Sequence, residues 1–496
     1  MPGHYRVAIR RSHERWLVRE GDRRPKHSEA VSPGSTIIAI FTSMSGFDLE
    51  RKDPGRPPRA RRQTMRPIDG RAGAWLTLAG AALIIAVATP RMLRGEEPWA
   101  TWFYVLVWYP TLLAADATLR LRSGRWYLLG DGRFVAGLLV WSVPFWLFFE
   151  LVNFRVANWY YVFLPADGPL RWTGITLSFA TVLPAIVVSR RLLAGFGFVE
   201  GLTWRPVRMA TWLPTVLQLA GIGFFLAALA WPRVLFPLIW GGVTLFVDPW
   251  VYRRDPKRSL VGAIERGEPA LIVQLLVGGL AIGLLWELYN VGARGKWIYT
   301  VTGLEELKLF EMPLLGFLGF PVLALDGWAV WSALVVARLA VDPGSPTGSG
   351  AFRSTAAVGA LTLGVSVSCA AVLAGMERWT ITSVTPTLEE VAGPAAPRLE
   401  AAGYDVFSLA GADPDGLELA TGSPDASTWV RRARLMVLRG IGAENALRLE
   451  AAGVTSIAEL AAADPEELMA ALMDAGAPHI RAARVRVWVK GARELR

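Results

Sequence analysis

Nine stretches of apolar sequence, each near the roughly 20 residues a bilayer requires, constrain this chain more than any other feature. They cover about residues 72–90, 99–119, 134–152, 172–189, 211–230, 233–250, 270–290, 313–341 and 356–376. Inside hydrocarbon the backbone must satisfy its own hydrogen bonds, and a helix does so within each run. The expected fold class is therefore all-α, a polytopic transmembrane helix bundle. Composition agrees: 53% of residues are hydrophobic and 19% charged, against about a quarter charged in a soluble domain. A disordered chain, a disulfide scaffold and an ordinary soluble enzyme are excluded.

The net charge of +10 is unevenly spread. Residues 1–70 hold 15 Lys+Arg and 8 Asp+Glu, a net of +7; residues 385–496 hold 12 and 16, a net of −4. The first segment reads as a disordered basic tail, or as an upstream extension to a protein starting at Met65. Within the membrane region the arginines alternate between connections. Arg120, Arg122, Arg125 and Arg133 follow the second run, Arg190, Arg191, Arg205 and Arg208 the fourth, and Arg253, Arg254 and Arg258 the sixth. By the positive-inside rule these loops and the N-terminus are cytoplasmic, in a multi-pass protein of the inner (plasma) membrane. The partner implied is the lipid bilayer. Nine crossings then place residues 385–496 outside.

Two halves of the membrane region align with each other. FELVNFRVANWYYV ends the third run and WELYNVGARGKWIYTV the seventh. Glu150 matches Glu287, Asn153 matches Asn290, Trp159 matches Trp297 and Tyr161 matches Tyr299, at offsets of 137 and then 138. Pro184 and Pro321 continue the match, and Asp116 and Asp248 precede it. The expected organisation is a tail at 1–70, membrane repeat 1 at 71–210, repeat 2 at 211–341, a ninth span and linker at 342–384, and a soluble domain at 385–496. Four spans per repeat preserve orientation, so the halves should be related by a pseudo-twofold axis along the membrane normal.

Intramembrane carboxyls are costly and are functional candidates by default. Glu150 and Glu287, with Asn153 and Asn290 one turn on, are the sharpest; they suit a ligand site, an acid catalyst, or a hydrogen-bonded pair fastening the halves. Trp159, Tyr161, Trp297 and Tyr299 complete the candidate substrate-binding set. Asp326, mid-run and unmatched, is expected to join Glu287 in an asymmetric site. Asp116 and Asp248 are expected to form interfacial ion pairs with nearby arginines, Glu311 to be a helix-start acid, and Pro184 and Pro321 to break backbone hydrogen bonds within their spans, either lining a cavity or simply kinking the helix. No cofactor or metal is expected: the four histidines avoid the apolar runs, and Cys369 is the single cysteine. No Walker loop, dinucleotide fingerprint or GxSxG elbow stands in a supporting context.

Residues 385–496 carry a second duplication. RLEAAG recurs at 398–403 and 448–453, each followed by an Asp-Pro helix start. The Gly440–Ile441–Gly442 turn before the second copy resembles the helix-hairpin-helix family, which implies a small all-α tandem domain. Such turns commonly hold nucleic-acid phosphates, but the net negative charge and Glu444 argue against nucleic acid here; a protein partner or self-association is expected instead. The membrane part resembles an uncharacterised family of bacterial polytopic membrane proteins, which implies no particular activity. Three functions stay open: binding or transport of a small or apolar substrate at the repeat interface, cofactor-free acid catalysis on an isoprenoid or lipid, and a membrane scaffold. Membrane lycopene cyclases share the logic of the second, without a matching motif.

Overall fold

The computed structural model describes residues 70–301, 307–343, 355–476 and 480–495. The basic tail expected at 1–70 lies, but for Gly70, outside the described residues. The rest is an all-α polytopic membrane protein. Among the described residues, eight helical segments are long and apolar enough to cross a bilayer: Gly70–Leu93, Gly132–Val156, Gly168–Gly195, Leu213–Ala230, Pro232–Tyr252, Ala270–Gly292, Leu314–Val336 and Gly359–Trp379. The remaining expected run is also a helix of 25 residues, Trp99–Ser123, made less apolar by tryptophan, tyrosine and Asp116. It is enclosed by its neighbours, with Phe103, Tyr104, Val107 and Trp108 buried.

We number the membrane helices α1 (Gly70–Leu93), α2 (Trp99–Ser123), α3 (Gly132–Val156), α4 (Gly168–Phe179), α5 (Val182–Gly195), α6 (Leu213–Ala230), α7 (Ile239–Tyr252), α8 (Leu260–Arg266), α9 (Ala270–Gly292), α10 (Gly319–Val336) and α11 (Thr355–Trp379). Helix α2 packs along α1 and against α5, α9 packs against α5 and α10, and α7 lies between α6 and α10. Outward faces of α1, α6 and α11 leave Trp75, Leu83, Leu219, Leu226 and Leu363 exposed. Such a belt suits contact with lipid.

The arginine-rich connections gather at one end. Trp204 N–H donates to the Gly267 carbonyl, Arg122 lies over Phe196, and Arg191 and Arg258 share Asp342. Asp116 and Asp248 do not form the expected ion pairs. Asp116 accepts the Tyr127 and Leu129 amides at 2.8 and 3.0 Å. Asp248 accepts the Ser259 hydroxyl and the Leu260 and Val261 amides at 2.7–2.9 Å. Each folds back the connection 11 to 13 residues ahead of it. A buried carboxylate gains more from several fixed N–H donors than from one flexible arginine at the interface.

The opposite end carries what helix periodicity alone did not reveal. Strand β1 (Trp159–Val162) pairs antiparallel with β2 (Lys296–Tyr299). Trp159 faces Tyr299, Tyr160 faces Ile298 and Tyr161 faces Trp297. Two segments matched in sequence thus pair as equals about the Tyr160–Ile298 position. Successive side chains alternate between the two faces of this ribbon. Trp159 and Tyr161 join the core of the helix bundle, while Tyr160, Val162 and Ile298 cluster with Val487 of the C-terminal region.

That region has a core of its own, from Leu388 to Ala492. Its helices are α12 (Leu388–Ala392), α13 (Ala396–Ala401), α14 (Val406–Ala410), α15 (Pro414–Thr421), α16 (Ala426–Val437), α17 (Gly442–Ala451), α18 (Ile457–Ala462), α19 (Pro465–Asp474) and α20 (Ala482–Glu494). Asp413 and Asp464 cap α15 and α19, with proline next in line, as their Asp-Pro sequences predict. The glycine turn docks on the back of the ribbon. The Tyr160 hydroxyl donates to the Arg439 carbonyl at 3.0 Å, and Asn445 Nδ2 donates to the Thr382 carbonyl at 3.0 Å. Gly440 has φ +73° and leaves no room for a Cβ beside Val162. This much of the surface expected for a separate protein partner is occupied by the chain itself.

Candidate functional site

Helix α3 carries Glu150 to the ribbon end of the bundle, where it is fully buried. Its Oε1 accepts Trp146 Nε1–H at 3.0 Å, Trp159 Nε1–H at 2.9 Å and the Tyr161 hydroxyl at 2.6 Å. Helix α9 does the same for Glu287. Its Oε1 accepts Trp297 Nε1–H at 3.2 Å and the Tyr299 hydroxyl at 2.8 Å. Both Oε2 atoms are buried without a hydrogen-bond partner among the described residues. Neither carboxyl has a lysine or arginine within ion-pair distance there.

The asparagines hold backbone as well as standing beside the glutamates. Asn153 Nδ2 donates to the Trp159 carbonyl at 2.9 Å, and its Oδ1 accepts the Asn158 and Trp159 amides. Asn290 repeats this around Trp297, at 2.9 and 3.0 Å. Each locks the turn from helix into strand. The strand's tryptophan and the tyrosine two residues on then point back at the glutamate. One motif, Glu-x-x-Asn followed by Trp-x-Tyr, is a local device for aiming two rings.

Those rings line a cavity of about 160 Å³. Residues spaced 137 or 138 apart in sequence contribute to it in pairs: Trp159 with Trp297, Tyr161 with Tyr299, and Ile175 with Met312. Glu150, Asn153, Glu287 and Asn290 stand behind this lining rather than in it. Burial, and then the adjacent Glu150 carboxyl, hold the Tyr161 phenol well above its ordinary range. Tyr299 is held up in the same way, by burial and then by Glu287. Both therefore remain O–H donors at physiological pH.

The breaks in the fourth and eighth runs also border the cavity. Helix α5 begins at Val182 and α10 at Gly319, both lining residues. Pro184 and Pro321 are each the third residue of their helix. In a first turn the missing N–H costs nothing, so neither proline is the break itself. Ser142 bridges the first break by donating to the Phe179 carbonyl at 2.5 Å and accepting the Leu183 amide at 3.0 Å.

Asp326 is not brought to Glu287. It accepts the Gly241 amide at 3.0 Å and the Thr244 amide and hydroxyl at 2.8 and 2.6 Å. The backbone of α7 is non-helical at Trp240 and Gly241. Asp326 caps the helix as it restarts, in the manner of an N-cap supplied from another helix. It thereby fixes Trp240, which lines the cavity and stacks on Phe149 with ring centroids 5.2 Å apart. Sequence reasoning missed Trp240, and the Trp-Gly-Gly at 240–242 inside an apolar run was the available signal.

Glu311 is likewise no helix-start acid. It is buried in the turn between the short strands β3 (Lys308–Leu309) and β4 (Met312–Pro313). It pairs with Lys296 at 3.1 Å and with Arg439 at 3.2 Å. Lys296 is at the cavity rim, so this carboxylate ties the rim to the docked glycine turn. Arg171, the other cation of the lining, is engaged by Glu377 at 2.9 Å.

Residues 421–495 match a domain of unknown function, DUF4332. A stretch of 198 residues, 37% of this chain, is 30% identical to an uncharacterized transporter of Legionella pneumophila. The match spans 35% of that relative's length. No solved structure matches the chain.

Proposed function

We propose that this membrane protein binds, and moves across or within the bilayer, a small apolar or amphipathic substrate held in the aromatic cavity. One observation carries the reading: five of the lining rings, Trp146, Trp159, Tyr161, Trp297 and Tyr299, turn their polar atoms onto buried carboxyls, leaving apolar faces for a ligand. Pockets with apolar walls and few polar groups are the usual form of small-molecule sites. The likeness to a relative named as a transporter supports the same direction. In this reading the two matched halves are an internal duplication, and the cavity lies at their interface. Helix breaks bordering it fit, since irregular backbone is tolerated at membrane depth where it lines a cavity. The C-terminal region is then a tandem helix-hairpin-helix-like module whose turn grips the ribbon rather than a nucleic acid. Acid catalysis draws less support, because both carboxyls stand behind the lining.

Mass spectrometry of small molecules retained by the purified full-length protein tests this reading. A compound retained by the wild type and lost from Val182→Trp, which fills the cavity, is the expected result. An identical retained set in both would remove the cavity as the site.

The orientation follows from the arginine-rich end being cytoplasmic and the ribbon end outside. In a Cys369→Ser background, a membrane-impermeant thiol reagent added to intact cells should label a cysteine at exposed Asp425 and spare one at exposed Pro256. The reverse pattern would invert the topology.

A further inference from the structure

We propose that the ligand of the aromatic cavity is a lipophilic cation, such as a quaternary ammonium with an apolar substituent. The inference rests on the reading of the cavity as a substrate chamber and adds the charge of what it holds. Aromatic faces attract cations through their quadrupoles, most strongly where water is excluded. Here that attraction is reinforced. Trp146, Trp159 and Tyr161 donate to Glu150, and Trp297 and Tyr299 to Glu287. A cation bound among the rings would hold these carboxyls ionised; a donor bonded to a carboxylate makes its ring more electron-rich, and the carboxylate adds its own field. Trp240, also in the lining, stacks on Trp159 and adds to the aromatic wall.

The surrounding cations are bound to other acids; Lys296 is felt at Glu287, but its ion pair is with Glu311, which is felt there with the opposite sign. Lys296 is committed to Glu311 and Arg171 to Glu377. Arg439 binds Glu311 and Glu494, and Arg484 lies over the Tyr160 ring on the other face of the ribbon. Among the described residues, Glu150 and Glu287 have no cationic partner, and a bound cation would supply it for both. An anion would meet no free arginine or lysine in the lining. Polar side chains there are few: Thr101, Asn158 and Ser178 besides the two paired cations and the N–H and O–H groups of the rings, of which Trp286 Nε1–H has no partner among the described residues. A sugar-like ligand would lose its hydrogen bonds with water and regain little.

Phenyltrimethylammonium and tert-butylbenzene have the same shape and differ in charge. Their binding to the full-length protein in lipid nanodiscs, read by tryptophan fluorescence at matched free concentration, separates the possibilities. The cation should bind about tenfold more tightly or better, as expected for a desolvated cation on several rings. In Glu150→Gln with Glu287→Gln, which keeps an acceptor at each site without the charge, that ratio should fall toward one. Equal binding of the two probes, or a preference for the neutral one, would overturn the cation assignment while leaving the chamber intact. A cation preference unchanged in the double variant would also overturn it. Absence of binding by both probes at millimolar concentration would take the chamber reading down as well.

Discussion

Replacing Gly440 by valine should release residues 385–496 from the ribbon without unfolding the membrane bundle. Gly440 sits at φ +73°, a conformation that a β-branched residue adopts only with strain. Its Cβ would overlap Val162, which is held in β1 by pairing with Lys296 and cannot retreat. Strain and overpacking together cost about 2–5 kcal/mol. That is comparable to what a few docking contacts can supply, so docking should fail before either core does. Hydrogen–deuterium exchange on the full-length protein should show faster exchange at residues 380–387 and 437–443. Exchange within α3 and α9 should stay as in the wild type. Gly440→Ala should give the same pattern more weakly. Unchanged exchange at 437–443 in the valine variant would mean that the turn is not a docking element.

The second large effect concerns Glu150. Leucine there leaves Trp146 Nε1, Trp159 Nε1 and the Tyr161 hydroxyl without their acceptor. Each unsatisfied buried donor costs about 1–3 kcal/mol, so the loss should reach several kcal/mol. Glu287→Leu should be milder, because Trp297 Nε1 also donates to the Tyr299 oxygen at 2.9 Å and keeps that partner. Gln at either position retains an acceptor and should cost about 1–2 kcal/mol. Thermal unfolding of the detergent-solubilised protein should therefore rank wild type, the Gln variants, Glu287→Leu and Glu150→Leu in falling order of Tm. A Glu150→Leu protein as stable as wild type would show that the bonds at Oε1 hold nothing together. The Gln variants carry a second readout. Amide cannot exchange a proton at neutral pH, so any proton-linked uptake should be lost at a stability cost too small to explain it. Uptake that survives in both would leave the glutamates a purely structural role.

Much of this was written locally. Apolar runs gave the helices because a bilayer-length run has no other way to satisfy its backbone. The arginine clusters marked one end of the bundle. Asp413-Pro414 and Asp464-Pro465 marked helix starts because cap and first turn are neighbours in sequence. The Glu-x-x-Asn and Trp-x-Tyr motifs could be seen to belong together because helix, turn and strand follow within a dozen residues. Other assignments failed where the deciding partner was distant. Asp326 finds its donors on α7, at separations of 82 and 85 residues, and nothing near it in sequence says so. Asp116 and Asp248 had arginines close by, yet the fold offered them backbone amides with better geometry.

The sequence by itself therefore determined that this is an all-α polytopic membrane protein, and that two matched segments each carry a glutamate, an asparagine and two rings. Only the tertiary structure decided what those segments do together. It paired them as an antiparallel ribbon, turned four of their rings into one cavity, and set the Gly440 turn against the ribbon's back across 279 residues of chain. Periodicity and capping are properties of neighbouring residues and can be read along the chain. The partner that satisfies a buried donor, or fills the space a glycine leaves, is fixed only when the helices pack.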